Sequence, residues 1–274
     1  MIHSSKCNHI LIIFTICILI HIICVCLYTY TCKNKESYQN RDFLSIICRV
    51  KNEHFHLDTF VPYYLSQGVD KIYFIDDNSE RPYLCAIHDK VKFIPSTLAR
   101  KTNKQMADVS VLYKRIRHHT KWILLIDADE YIYTKGNSTI RSLLQTEFRN
   151  VDCINIPWAM FSFENREHDG EDVIMDYTYR WNHDKTHVHK NPKSMKNRCR
   201  YNGIEVKSLF KGESFYDLNN PHIPANPIGR NIIVRDSIYN KNKSLSVMYQ
   251  GLREKDIKNA IMICNHYRLS LIHI

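Results

Sequence analysis

Two acidic pairs stand where carboxylates can do chemistry. Asp127-Ala128-Asp129 follows the unbroken apolar run Trp122-Ile123-Leu124-Leu125-Ile126, and Asp76-Asp77-Asn78-Ser79 follows Lys71-Ile72-Tyr73-Phe74-Ile75. Short apolar runs rich in β-branched and aromatic residues predict buried strands, and open α/β sheets bind ligands just beyond the carboxyl ends of their strands. In extended backbone alternate side chains share a face, so Asp127 and Asp129 are expected to point together and Ala128 away. Two convergent carboxylates beside a ligand diphosphate would hold a hard divalent cation through oxygen, and such an ion offsets the charge on a departing diphosphate. The plainer reading of each pair is a turn. It is stronger for Asp76–Ser79, since Asp, Asn and Ser are what a turn needs anyway.

The elements that would position these residues are readable over the first part of the chain. Phe43–Val50 reads as a strand, and the apolar residues after Glu53 recur at helical spacing, with Pro62 expected to kink or restart the helix and Gly68 to stop it. A short strand Val91–Ile94 and an amphipathic helix from about Gln105 to His118 come next, the latter placing Met106, Val109, Leu112, Tyr113 and Ile116 on one face. A helix Ser138–Phe148 and a strand Cys153–Pro157 follow the Trp122–Ile126 strand. Strands alternating with helices imply an α/β fold with a mostly parallel sheet buried on both faces. Beyond Trp158 the pattern decays into polar, His-rich and Asn-rich sequence. His183, His187 and His189 have a spacing that zinc could use on a helix, but their Asn, Asp and Lys neighbours predict a loop.

Composition narrows the classes. A net charge of +10 spread along the chain, without arginine-rich blocks, argues against a nucleic-acid arm and suits anionic small molecules such as nucleotide phosphates. The seven glycines are too dispersed for a dinucleotide fingerprint or a P-loop. Residues 10–30 carry no formally charged side chain and are long enough to span a bilayer, with Leu27, Tyr28 and Tyr30 offering no signal-peptidase site. The expected organisation is a tail (1–9), an uncleaved transmembrane anchor (10–30), a linker (31–42) and one domain (43–274). Basic residues flank the span on both sides, so charge does not set its orientation. Cys48, Cys85, Cys153, Cys199 and Cys264 are scattered through the domain with no C-x-x-C pair, and sequons at Asn137 and Asn242 are compatible with a lumenal domain.

Taken in order, Cys48-Arg49-Val50-Lys51-Asn52-Glu53, Gly68-Val69-Asp70, Ile75–Ser79, Trp122 with Ile126–Tyr131, Trp158-Ala159-Met160-Phe161, Lys207-Ser208-Leu209-Phe210, Pro221-His222-Ile223-Pro224 and Asn265-His266-Tyr267 resemble the blocks of the glycosyltransferase family 2-like and family 92 proteins of GT-A fold. The resemblance covers roughly residues 43–270. It implies a Rossmann-like GT-A domain, a nucleotide-sugar donor, a divalent cation (Mn2+ or Mg2+), a glycan, protein or lipid acceptor, and inversion at the sugar. It also implies a single-pass type II arrangement with the domain in the ER or Golgi lumen, and no nucleic-acid partner.

Carried over residue by residue, Asp129 would ligate the metal, Asp127 would lie near ribose or metal, Asp76 or Asp77 would contact the nucleoside, Lys207 would face the diphosphate, and His222 would complete the metal or phosphate site. An inverting transfer also needs a carboxylate to take the acceptor proton. Glu171 and Asp172, in the acidic stretch Glu164–Asp172, are the candidates. The family's glycine-bearing block is replaced here by Phe161–His168, and the chain ends soon after Asn265-His266-Tyr267. Two rival readings are a catalytically impaired, membrane-anchored sugar- or protein-binding homologue, and a haloacid-dehalogenase-type phosphatase, whose Asp-x-Asp would normally begin the domain.

Overall fold

The computed structural model describes residues 16, 18–28, 41–83, 88–97, 105–162, 173–180, 182–184, 204–229, 231–246 and 249–267. The chain divides into two compact units, Met1–Arg41 and Asp42–Ile274. In the first, residues 18–28 are helical and exposed. Among the described residues no helix is long and apolar enough to cross a membrane, and residues 10–15, 17, 29 and 30 of the expected anchor lie outside them.

The second unit is built on β1 (Asp42–Val50), α1 (His54–Ser66), β2 (Lys71–Asp76), β3 (Val91–Pro95), α2 (Gln105–Ile116), β4 (Thr120–Leu125), β5 (Glu130–Thr134), α3 (Ile140–Gln145) and β6 (Cys153–Ser162). Then come α4 (Val173–Asp176), β7 (Tyr179–Arg180), β8 (Ile204–Lys211), β9 (Phe215–Asp217), β10 (Ala225–Pro227), β11 (Val234–Asp236), β12 (Tyr249–Gln250), α5 (Glu254–Asn259) and β13 (Met262–Tyr267). The main sheet runs β3-β2-β1-β4-β8-β6-β13-β5, with β7 and β11 also paired to β6 and β12 to β8. β1, β2, β3, β4, β6 and β13 run one way, whereas β8 is antiparallel to both β4 and β6, and β5 is antiparallel to β13. The fold is therefore α/β with a mostly parallel mixed sheet flanked by helices.

Alternation within the central strands explains the layering. Leu44, Ile46, Cys48 and Val50 of β1, with Trp122 and Leu124 of β4, pack with Leu57, Phe60, Val61 and Tyr64 of α1 and Ile140 and Leu144 of α3. The alternate residues Ile47, Ile123 and Leu125 pack with Val109, Leu112, Tyr113 and Ile116 of α2 on the other face. Such two-sided burial is why these strands read as continuous apolar runs. α1 also closes the edge of the sheet. The Tyr64 hydroxyl donates to the Glu130 carbonyl (2.9 Å) and accepts from the Ile132 amide (3.1 Å), while Tyr63 donates to the Ile132 carbonyl (2.8 Å). Backbone groups that an edge strand would otherwise present are satisfied this way.

Three expectations are corrected here. α1 continues through Pro62 without restarting, and Pro62 and Asp58, the residue whose carbonyl it leaves unbonded, lie on the exposed face. β6 does not stop at Pro157 but continues to Ser162. On one side its partner changes from β11, which ends opposite Asn155, to β13, which begins opposite Trp158, so Pro157 falls at the changeover. The sequence beyond Trp158 is also not element-poor, since seven strands, two α-helices and a short 3-10 helix (Gly212–Ser214) follow β6 among the described residues. Cys48, Cys153 and Cys264 are buried free thiols.

Candidate active site

Three strand ends and one strand start bring the acidic residues together. β4 ends at Leu125, and the chain turns through Asp127–Asp129 before β5 begins at Glu130. The Glu130 amide donates to the Asp127 carbonyl (3.2 Å). The segment is thus a turn and not the extended backbone assumed from the sequence, which corrects the reason for expecting Asp127 and Asp129 to share a face. Ala128 is buried in the core. The turn gives the two aspartates different partners.

Asp127 is held by a closed ring of polar contacts. Lys207 Nζ donates to Asp127 Oδ2 (2.6 Å) and pairs with Glu130 Oε2 (3.0 Å), and the Asp127 amide donates to the same Glu130 oxygen (2.9 Å). The Lys207 side chain is 1% exposed and that of Glu130 0%, whereas that of Asp127 is 56% exposed and faces outward. Lys207 arrives here because β8 runs against its neighbours, which puts its amino-terminal half at the carboxyl end of β4, with Lys207 opposite Ile156 of β6. This burial is unusual for a lysine, most of which are solvent-exposed. Burial alone would lower the Lys207 pKa, but the Asp127 and Glu130 charges more than offset this and hold it above its ordinary value. Burial raises Asp127, yet the Lys207 ammonium outweighs it and keeps that carboxylate below its usual range. Glu130 is pushed up, chiefly by burial, with Lys207 opposing. Its second oxygen, Oε1, is buried with no hydrogen-bond partner among the described residues.

Asp129 faces a different group. Its Oδ2 lies 3.3 Å from His266 Nε2, and its carbonyl accepts from the Tyr267 amide (2.9 Å), because β13 pairs with β5 in a register that sets His266 opposite Glu130. Burial lowers the His266 pKa, but the hydrogen bond and charge of Asp129 raise it by more. Trp158 lines the floor between the two histidines. Its ring is 4.4 Å from that of His266, 5.5 Å from that of His222, and 5.8 Å from Lys207 Nζ. His222 Nδ1 donates to the Val206 carbonyl (3.0 Å), which leaves Nε2 as the acceptor nitrogen, and burial followed by the Lys207 charge holds its pKa down. Glu53, at the end of β1, is a further carboxyl at this edge. Burial, and then the charges of Asp129 and Asp127, push it up to about 7.

The Asp76–Ser79 segment is a turn tied to the neighbouring loop. Asp76 Oδ1 accepts from the Ser79 amide (3.0 Å) and hydroxyl (2.6 Å), Asp77 pairs with Arg49 (3.1 Å), and the Ser79 hydroxyl accepts from the Asn52 amide (2.9 Å). Both Asn52 and Asn78 take the left-handed conformation that such tight turns require. Asp76 and Asp77 are thus committed to local bonds, and they lie beside Glu53 through the Asn52–Ser79 contact. Glu171, Asp172, His187 and His189 lie outside the described residues, while His183 is buried with its amide on Glu254 (2.6 Å).

Among the described residues no three His, Cys, Asp or Glu side chains converge on one point as a ready-made metal cage. Lys207 occupies the place between Asp127 and Glu130 where such a cage would close. The remaining oxygen and nitrogen donors, Asp129 with His266 and the Asp127 oxygen that Lys207 does not hold, suit an ion that takes its other ligands from a bound diphosphate. Glu130, His266 and Glu53 are the residues that the sequence reading quoted without assigning. The signal for Glu130 was its place at the head of Tyr131-Ile132-Tyr133, where strand alternation turns an acid inward.

No protein-family profile and no curated protein matches the chain. Among solved structures it is similar to the mannosyltransferase PcManGT from Pyrobaculum calidifontis, in complex with GDP-Man and Mn2+, at 15% sequence identity and a TM-score of 0.30. The likeness covers 42% of this chain and 35% of that one, so the chain spans about a third of that protein's length. It is a distant resemblance in part of the fold to a nucleotide-sugar glycosyltransferase.

Proposed function

We propose that this protein is a metal-dependent glycosyltransferase that moves a sugar from a nucleotide-sugar donor to an acceptor hydroxyl with inversion. One observation carries the reading. Residues from six of the sequence blocks that resemble the GT-A families, Glu53, Asp127–Glu130, Trp158, Lys207, His222 and His266, meet at the carboxyl edge of one mostly parallel sheet. Ligands of open α/β sheets bind at such an edge.

In this account Asp129 and His266 hold a divalent ion, with Asp127 beside it and His222 available through Nε2. When bound, the ion would neutralise the diphosphate as it departs. A carboxylate–imidazole donor set favours Mn2+ over Mg2+. The Asp76–Ser79 and Arg49–Glu53 turns flank the place for the nucleoside, and Trp158 offers an aromatic floor for a sugar face. The acceptor proton goes to Glu171 or Asp172, with residues 10–30 anchoring the domain on the lumenal side of a membrane. Release of nucleoside diphosphate from a panel of UDP- and GDP-sugars, with and without Mn2+, tests this reading. Metal-dependent release of one nucleotide supports it, and no release from any donor, with or without acceptors, contradicts it.

A further inference from the structure

Glu53, Asp127, Asp129 and Glu130 crowd four carboxyl groups at one sheet edge, and such crowding draws cations. We propose that Lys207 is an internal cation that takes the place of a second divalent ion, neutralising Asp127 and Glu130 so that the site accepts a single ion on the Asp129–His266 side. The proposal rests on the reading of this edge as a divalent-cation site. Three observations carry it. Lys207 Nζ contacts one oxygen of each carboxylate at 2.6 and 3.0 Å, which is the position a bridging metal would need. The lysine is 1% exposed and enters from β8, which holds its ammonium at this position. Glu130 Oε1 is buried without a partner among the described residues, so this carboxylate keeps ligating capacity that Lys207 does not use. Asp129, paired with His266 at 3.3 Å, is left outside the Lys207 ring. A divalent ion between Asp127 and Glu130 would stand against a buried ammonium, and Coulomb repulsion at such range excludes it.

The test is Mn2+ titration of the full chain followed by electron paramagnetic resonance, for wild type, Lys207→Met, Lys207→Arg and Glu130→Gln. Lys207→Met should bind a second ion or bind the first about tenfold or more tightly, since one positive charge has gone. Glu130→Gln should bind more weakly, since one negative charge has gone, and Lys207→Arg should keep the wild-type number of ions. A lysine that merely supports the structure would shift the Met and Gln variants in the same direction, towards weaker binding. Equal or weaker binding by a folded Lys207→Met overturns the proposal. Should circular dichroism show that variant unfolded, Glu130→Gln decides, with unchanged or tighter binding counting against the proposal. Wild type that binds Mn2+ but no nucleotide sugar would defeat the proposed function and leave Lys207 in its role. Absence of Mn2+ binding in both wild type and a folded Lys207→Met would defeat both.

Discussion

Removing the Lys207 charge while Glu130 stays in place should be one of the costliest single changes in the domain. Glu130 is fully buried and Lys207 is its cationic partner at 3.0 Å, so Lys207→Met leaves a carboxylate in the interior with only the Asp127 amide beside it. Breaking a buried pair from one side typically costs about 3–5 kcal/mol, whereas replacing both partners by neutral groups of similar volume is close to neutral. The single variant should lose that amount in urea denaturation, equivalent to a fall in Tm of about 6–20 °C for a domain of this size. Lys207→Met/Glu130→Gln should recover most of it, giving a coupling energy of about 2 kcal/mol or more. The loss should also depend on pH in a set direction. Burial already raises the Glu130 pKa above its ordinary 4.5, and losing Lys207 raises it further. An acid whose pKa is higher in the folded state takes up a proton on folding between the two values, so the penalty is absent below about 4.5, grows as pH rises to the folded value and is constant above it. Equal losses in the single and double variants, or a loss independent of pH, would mean that Lys207 acts through the packing of its stem alone.

Gly68 sits at φ +86°, and an added Cβ would lie 2.6 Å from Arg141 Cβ, so Gly68→Ala should cost about 1–3 kcal/mol and loosen the Arg141–Asp70 ion pair, read by denaturation. Tyr64→Phe should cost about 1–3 kcal/mol, because the Glu130 carbonyl and Ile132 amide lose their shared partner, and faster amide exchange in β5 would report it. Glu254 is held down to about 2, first by its hydrogen bond from Arg180 and then by the His183 amide against the opposing effect of burial. Its contribution, about 2–3 kcal/mol, is complete above the unfolded value near 4.5 and is lost as pH falls through about 2. Glu254→Gln should therefore lower stability at pH 7 and flatten the acid limb between those values. An unchanged limb would show that the Arg180 contact is not stabilising.

Much of the first half of the fold was legible because its central strands β1 and β4 are buried on both faces. Lys71–Ile75 and Val91–Ile94 stand out as short runs rich in β-branched and aromatic residues, and β2 and β3 differ from them by one residue each. The helix placed from Gln105 to His118 ends at Ile116, two residues sooner. The later strands were hidden by the charged residues and the proline they carry. β8 reads Ile204-Glu205-Val206-Lys207, and the charged residues that interrupt its apolar pattern include the one that the site needs buried. β6 carries Pro157 where it changes partners, which mimics a strand end. The two aspartates were recognised from their place after β4, but their separate fates were not, since those depend on contacts made about 80 and 137 residues away along the chain. Asp76 and Asp77 hold a turn and an ion pair, the contacts that the composition of the Asp76–Ser79 segment already suggested.

The account turns on whether Asp129 and its histidine hold a metal that in turn holds a donor. Isothermal titration of the domain from Arg41 onward with UDP- and GDP-sugars, in Mn2+ and in chelator, measures this directly, with Asp129→Ala and His266→Ala as paired variants. The account predicts binding of one nucleotide sugar only with Mn2+, lost in Asp129→Ala and at least tenfold weaker in His266→Ala, with both variants folded by circular dichroism. Binding that is equal in chelator and in Mn2+, or that survives Asp129→Ala unchanged, would contradict it.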